Sequence, residues 1–134
     1  MRIIAGKLKG ATLYMPKDKN TRPLKDIVRE NIFNLLTHSN KILFQFEQSN
    51  ILDLYAGTGS FGLECISRQA NSVYFIEKEK TVLKILEKNI EKLSIKKKKQ
   101  KYYPTMYSHQ LKKKIFLNLN LILFFVIHPI KIKI

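Results

Sequence analysis

The order of apolar and polar residues predicts alternating strands and helices in the middle of the chain. Residues 51–55 form an apolar run that ends at a glycine loop, and residues 72–76 are mostly β-branched and aromatic. Each run is followed by residues with helical spacing, over 60–69 and over 79–93. Because strand, helix, strand and helix in this order form a βαβα unit, the pattern predicts an α/β fold with a parallel sheet.

Two of the predicted helices have an apolar face that the spacing identifies. In the helix over 79–93 this face is Leu83, Leu86, Ile90 and Leu93. In an earlier helix, over 26–36, the face is Val28, Ile32, Leu35 and Leu36, with Phe33 beside it. We expect both faces to be buried.

Positive charge is concentrated at the two ends of the chain. The 134 residues carry a formal net charge of +15, and residues 96–134 contain ten lysines and no acid. The first 25 residues hold seven cations and one acid, and their glycines and prolines predict a hairpin or extended arm. This balance favours an anionic partner, with nucleic acid before an acidic membrane surface. An arm that is merely solvated is the alternative.

Several classes of protein are excluded by composition. A single cysteine, Cys65, excludes an internal disulfide framework and a zinc site built from cysteines. The longest apolar stretch, residues 115–127, is interrupted by two asparagines and is shorter than the about 20 residues of a membrane span. We therefore expect a cytoplasmic protein without a membrane segment or a bound metal.

The most informative motif is the glycine loop that follows the first predicted strand. Residues 53–62 read Asp-Leu-Tyr-Ala-Gly-Thr-Gly-Ser-Phe-Gly, and Glu77 ends the next strand 20 residues after Gly57. The glycines let a ligand approach the backbone, and a carboxylate at the position of Glu77 can bind both ribose hydroxyls. Asp53 would repel a pyrophosphate at the helix N-terminus but attract the ammonium group of S-adenosylmethionine. The pattern favours methyl transfer over the hydride transfer of a nicotinamide-dependent oxidoreductase, and a tight turn without a ligand is the structural alternative.

These residues resemble the RsmD-type family, whose members are class I methyltransferases that modify the exocyclic N2 of a guanine in 16S ribosomal RNA. The resemblance rests on residues 53–64 and 75–78, on the opening residues 1–7, and on residues 22–34, although Leu24 replaces the usual threonine. It covers residues 1–95 and implies a partial class I methyltransferase (Rossmann-like) parallel sheet with an N-terminal basic β arm and helix.

The resemblance also implies which residues bind. The implied cofactor is S-adenosyl-L-methionine, and the residues implied to contact it are Asp53, Ala56, Gly57, Thr58, Gly59 and Glu77. The residues implied to contact ribosomal RNA of the small subunit are Arg2, Lys7, Lys9 and Arg22.

The family's catalytic Asp-Pro-Pro-Tyr motif is absent from the sequence. The nearest string, residues 126–131, contains His128 and no acid. Codons exist for which residues 125–131, read in the neighbouring frame, encode Cys-Asp-Pro-Pro-Tyr-Lys. Our hypothesis is that the chain beyond about Lys96 is a frameshifted reading of the methyltransferase's second half.

The expected organisation is one incomplete domain that acts as a monomer and is catalytically inactive. It consists of an RNA-binding arm and helix (1–37), a cofactor-binding βαβα unit (50–95) and an aberrant lysine-rich tail (96–134). We expect its parallel strands to be poorly covered and residues 115–127 to supply a substitute strand. A non-catalytic basic RNA-binding protein with a vestigial cofactor loop is the alternative.

Overall fold

The computed structural model describes residues 1–17, 26–40, 44–96, 100–103 and 121–124. Its helices and strands are, in chain order, α1 (Asp26–His38), a 3-10 turn (Phe46–Gln48), β1 (Asn50–Asp53), α2 (Ser60–Ser67), β2 (Ser72–Ile76), α3 (Lys80–Lys92), β3 (Gln100–Tyr103) and β4 (Leu121–Phe124). The predicted βαβα unit is therefore confirmed. Arg22, Leu24 and residues 125–131 lie outside the described residues.

The four strands form one parallel sheet in the order β3-β2-β1-β4. Strand β4 lies within the segment predicted to supply a substitute strand, and it pairs with β1 from Asn50 to Asp53. From β1 the chain continues to β2 and β3 on one side of β1, whereas β4 lies on its other side. The strand order therefore reverses beside β1. In open α/β sheets this reversal, at the carboxyl ends of the strands, is where ligands bind.

The two central strands are well covered. Ile51 of β1 and Val73 and Phe75 of β2 are all fully buried. The expectation of poorly covered strands is therefore wrong for β1 and β2. The physical reason is that α2 lies against both strands and is itself buried over 61–67, since the N-terminal segment lies over it.

The N-terminal segment forms the predicted hairpin. Arg2 and Thr12 pair in an antiparallel bridge, and the Ile3 amide donates to the Ala11 carbonyl over 2.9 Å. The hairpin is fixed to α2 by Glu64, a fully buried carboxylate that accepts hydrogen bonds from the amides of Ile4 and Ala5. We define residues 1–14 as the hairpin from here on.

Helix α1 is rotated relative to the prediction. Its buried residues are Arg29, Phe33 and Leu36, whereas Val28 and Leu35 are 40% and 61% exposed. The rotation turns Phe33 onto Phe61, with ring centroids 5.0 Å apart. Arg29 turns inward as well and donates from Nη2 to the Arg2 carbonyl and to Asp26. The predicted apolar face is confirmed at Phe33 and Leu36 and wrong at Val28 and Leu35, because a buried arginine and an aromatic stack decide which side faces the core.

The close contact between the hairpin and α2 predicts unequal effects of alanine at two glycines with similar backbone angles. Gly6 (φ +82°) and Gly10 (φ +85°) both have left-handed backbones, but only at Gly6 would a Cβ overlap the carbonyl of Ser67. We expect Gly10→Ala to lower the free energy of unfolding by about 1 kcal/mol. Gly6→Ala should lower the free energy of unfolding several times as much as Gly10→Ala does. Urea unfolding of both variants measures the two losses. Equal losses would show that the hairpin does not lie against α2.

Candidate cofactor site and RNA arm

The glycine loop, residues 54–59, leads from the carboxyl end of β1 into α2. Gly57 and Gly59 have φ angles of +54° and +86°, which favour glycine. A Cβ on Gly59 would overlap the side chain of Leu86, so this glycine is also required for the contact with α3. A Cβ on Gly57 would meet nothing closer than the Tyr55 carbonyl at 3.9 Å. The backbone is therefore approachable at Gly57 and closed at Gly59.

Asp53 lies beneath this loop at the end of β1 and is 1% exposed. Its Oδ2 accepts a hydrogen bond from the amide of Gly62, in the first turn of α2, over 3.2 Å. Its Oδ1 is buried and has no hydrogen-bond partner within the described part of the chain. Burial raises the pKa of Asp53 to about 7, and the charge of Glu77 raises it further, against the lowering effects of the Gly62 amide and, more weakly, of the Tyr55 backbone. An unpartnered buried carboxylate oxygen is a site that a cationic group can satisfy.

Glu77 follows β2 and reaches the same loop from the neighbouring strand. Its Oε2 accepts from the Gly57 amide over 2.9 Å, and its Oε1 accepts from the Glu79 amide over 2.8 Å. The side chain is half-buried, and each oxygen keeps lone-pair capacity for a second donor such as a hydroxyl. The two predicted carboxylates are therefore both held against the glycine loop, one from β1 and one from β2.

The other predicted loop residues are fixed by their backbones. The Ala56 amide donates to the Ile76 carbonyl over 3.1 Å, which ties the loop to β2. The Thr58 carbonyl accepts from Nδ2 of Asn89 over 3.0 Å. Asn89, which is fully buried on α3, was not among the residues predicted from the sequence. A signal was present, because Asn89 lies three residues after Leu86 and four before Leu93 and therefore falls within the predicted apolar face.

The three described cations of the predicted RNA set lie together on the hairpin. Arg2, Lys7 and Lys9 are all exposed, and none of them forms an ion pair with another described residue. Their backbones are fixed, since the Lys7 amide donates to the Ser67 carbonyl and the Arg2 carbonyl accepts from Arg29. The fourth predicted contact, Arg22, lies outside the described residues. The structure therefore places three of the four on the hairpin, separate from the glycine loop.

A cavity of about 310 Å³ lies between the hairpin and the start of α1. Its lining residues are Arg2, Ile3, Ile4, Lys9, Gly10, Asp26 and Glu30. None of the six predicted cofactor residues is among them. The cavity is thus distinct from the candidate cofactor site.

The described ranges contain neither a metal-binding cluster nor a membrane-spanning helix. No three His, Cys, Asp or Glu side chains there are grouped so that they could hold a metal ion. None of the helices there is long and apolar enough to cross a membrane.

Comparison with known sequences identifies the family. The sequence profile of the family described as conserved hypothetical protein 95 matches residues 1–123. The chain belongs to this family. The match includes the hairpin, the glycine loop and Glu77, and it reaches beyond residue 95, where the resemblance found in the sequence ends.

Curated relatives of the chain carry the names of enzymes. Ribosomal RNA small subunit methyltransferase D of Haemophilus influenzae is 42% identical over 93 residues, which are 69% of this chain and 45% of that protein. The protein of the same name from Escherichia coli K12 is 37% identical over 93 residues, which are 69% of this chain and 44% of that protein. The predicted resemblance to the RsmD-type family is confirmed. The chain spans about half the length of the curated relatives that it matches.

Solved structures of this kind confirm the fold class. A candidate methyltransferase of Escherichia coli superposes with a TM-score of 0.64 at 30% identity, over 78% of this chain and 51% of that one. A candidate methylase of Haemophilus influenzae superposes with a TM-score of 0.56 at 36% identity, over the same shares of the two chains. The chain therefore has the α/β fold of a class I methyltransferase, over about half of that fold.

The buried carboxylate predicts a pH dependence of stability. An aspartate in an unfolded chain has a pKa of about 3.9, so between about pH 4 and pH 7 the folded protein holds a proton that the unfolded chain has lost. Stability of the ligand-free protein should therefore fall as the pH rises through this window and level off above it. The change should amount to at most about 4 kcal/mol, since one pKa unit corresponds to about 1.4 kcal/mol.

Thermal unfolding of the wild type and of Asp53→Asn, followed at several pH values, tests this expectation. The variant keeps an oxygen that can accept from the Gly62 amide but has no titrating group. Its stability should change less than that of the wild type across the window. Parallel curves for the two proteins would contradict the account of Asp53.

Proposed function

We propose that this chain carries the S-adenosylmethionine-binding half of a methyltransferase that acts on the exocyclic N2 of a guanine in 16S ribosomal RNA. The observation that carries the proposal is the unpartnered Oδ1 of Asp53, buried under the glycine loop beside Glu77. Membership of the RsmD-type family and the rRNA methyltransferase names of its relatives support the reaction class.

The residues present fit the cofactor. Asp53 Oδ1 would accept from the ammonium group, and Glu77 would accept from the ribose hydroxyls while keeping its bond to the Gly57 amide. The open side of Gly57 would let the ligand lie against the backbone. When bound, the cofactor supplies an electrophilic sulfonium methyl group. Asp53 would have to be ionised to hold the ammonium group, so a cation here stabilises the charge that burial disfavours.

The chemistry of the acceptor needs residues that this sequence does not contain. An exocyclic amine is a weak nucleophile that must be positioned, on a base turned out of its stack, by groups that accept its protons. The family's Asp-Pro-Pro-Tyr motif would supply them and is not found in the sequence. We propose that the chain alone transfers no methyl group and that the motif is encoded in the neighbouring reading frame. The nucleotide sequence after the lysine codons tests this, because an early stop codon in that frame would refute it.

Calorimetric titration with S-adenosylmethionine tests the cofactor assignment. We expect saturable binding by the wild type and a dissociation constant at least about tenfold higher for Asp53→Asn and for Glu77→Gln, since each loses a charged hydrogen bond. Glu91→Gln, an exposed change on α3, is the matched control and should bind as the wild type does. Binding of NADH in place of S-adenosylmethionine would instead support the oxidoreductase interpretation.

RNA binding should depend on the hairpin cations. We expect an RNA stem–loop to bind with an affinity that falls with salt, because each phosphate contact releases counterions. Replacing Lys7 and Lys9 together by alanine should reduce the slope of log affinity against log salt by about 2, or about 1 per cation. Lys84→Ala, an exposed lysine on α3, is the control. A slope unchanged by the double substitution would refute the RNA role of the hairpin.

The second candidate function is a non-catalytic RNA-binding protein with a vestigial cofactor loop. The exposed hairpin cations without ion pairs favour this function as much as they favour the methyltransferase. The calorimetric titration separates the two, since RNA binding without cofactor binding supports the second.

A further inference from the structure

One buried side chain joins the glycine loop to the end of the hairpin. Asn89 of α3 is fully buried, and its Oδ1 accepts from the Tyr14 amide over 2.7 Å. Its Nδ2 donates to the Tyr14 carbonyl over 3.1 Å and to the Thr58 carbonyl over 3.0 Å. The amide therefore pairs with both backbone groups of Tyr14 and with one carbonyl of the glycine loop.

Three further contacts, made by Met15 and Lys92, hold the same segments together. Met15, directly after the hairpin, lies with its Sδ 3.6 Å from the Thr58 hydroxyl. Lys92, one helical turn after Asn89, donates to the Thr12 hydroxyl over 2.8 Å and places its Nζ 4.6 Å from the centre of the Tyr14 ring. Residues 12–15 are thus held by α3 and the glycine loop together.

The bonds of Asn89 make the two segments depend on each other. Both amide hydrogens and the amide oxygen are engaged in a buried place, so a shift of Tyr14 would leave polar atoms without partners. An unpaired buried polar group costs about 1–3 kcal/mol. The orientation of the Thr58 carbonyl, and with it the left-handed turn at Gly59, is therefore most stable when the hairpin end is in place.

We propose that Asn89 is a positioning residue that couples RNA binding on the hairpin to cofactor binding on the glycine loop, so that each ligand strengthens the binding of the other. The inference rests on the proposed function, because it takes the hairpin as the RNA site and the loop as the cofactor site. Phosphate contacts at Lys7 and Lys9 fix the hairpin, the hairpin end fixes the Asn89 amide, and the amide fixes the Thr58 carbonyl. Linkage requires the effect to be equal in both directions.

The coupling is measured as the ratio of dissociation constants for S-adenosylmethionine without and with a saturating guanine-containing RNA stem–loop. We expect a ratio of about ten for the wild type, within the usual range of coupling between sites. Asn89→Leu, which has a similar volume and no polar group, should bring the ratio close to one. A structural loss alone would lower stability without moving this ratio.

The matched control is Ser67→Ala. Ser67 accepts from the Leu8 amide and donates to the Ala5 carbonyl, so its loss loosens the hairpin on α2 without touching the glycine loop. This variant should keep most of the wild-type ratio. A wild-type ratio of one, or a ratio that Asn89→Leu leaves unchanged, would overturn the proposal.

A second measurement covers the cases in which Asn89→Leu does not fold or the wild type does not bind the cofactor. Hydrogen exchange of the wild type with the RNA stem–loop alone should slow the amides of residues 56–63 as well as those of the hairpin. Protection confined to the hairpin would overturn the coupling. Absence of cofactor binding together with slowed exchange in the loop would refute the proposed function and support only the link through Asn89 from the hairpin to the loop.

Discussion

The candidate site depends on a carboxylate that is buried without enough partners. Asp53 gives one oxygen to the first turn of α2 and leaves the other without a hydrogen bond, which is an unfavourable place for a negative charge. The same aspartate orients the glycine loop, because it bonds to the helix into which the loop leads. A ligand with a positive group would stabilise its ionised form. Asp53 therefore caps the first turn of α2 with one oxygen and leaves the other available to a cationic group.

The order of strands and helices was predictable from the sequence because it depends on local patterns. The runs that became β1 and β2 are short, apolar and bounded by turn residues, and α3 has a regular apolar stripe. The position of β4 was also anticipated within residues 115–127. The paired placement of Asp53 and Glu77 at the loop followed from parallel strands whose carboxyl ends share one edge of the sheet.

The features that local patterns missed are buried polar residues with partners far away in the chain. Glu64 bonds to the amides of Ile4 and Ala5 about sixty residues earlier, and Asn89 bonds to Tyr14. No spacing rule pairs a helix side chain with a distant backbone group. The rotation of α1 has the same origin, since Arg29 is buried by its bond to the Arg2 carbonyl. Polar residues within an apolar face are the signal to follow in such sequences.

These contacts join the hairpin, α2, α3 and the glycine loop into one connected unit. The proposed cofactor site requires that the ammonium group of the cofactor stabilises the ionised form of Asp53. Calorimetric titration of S-adenosylmethionine at pH 7, repeated in buffers with different ionisation enthalpies, measures the protons that binding releases. With a pKa of about 7, Asp53 should release about half a proton on binding, and Asp53→Asn should release none beyond what the ligand itself contributes. Equal proton release by the two proteins would contradict the account.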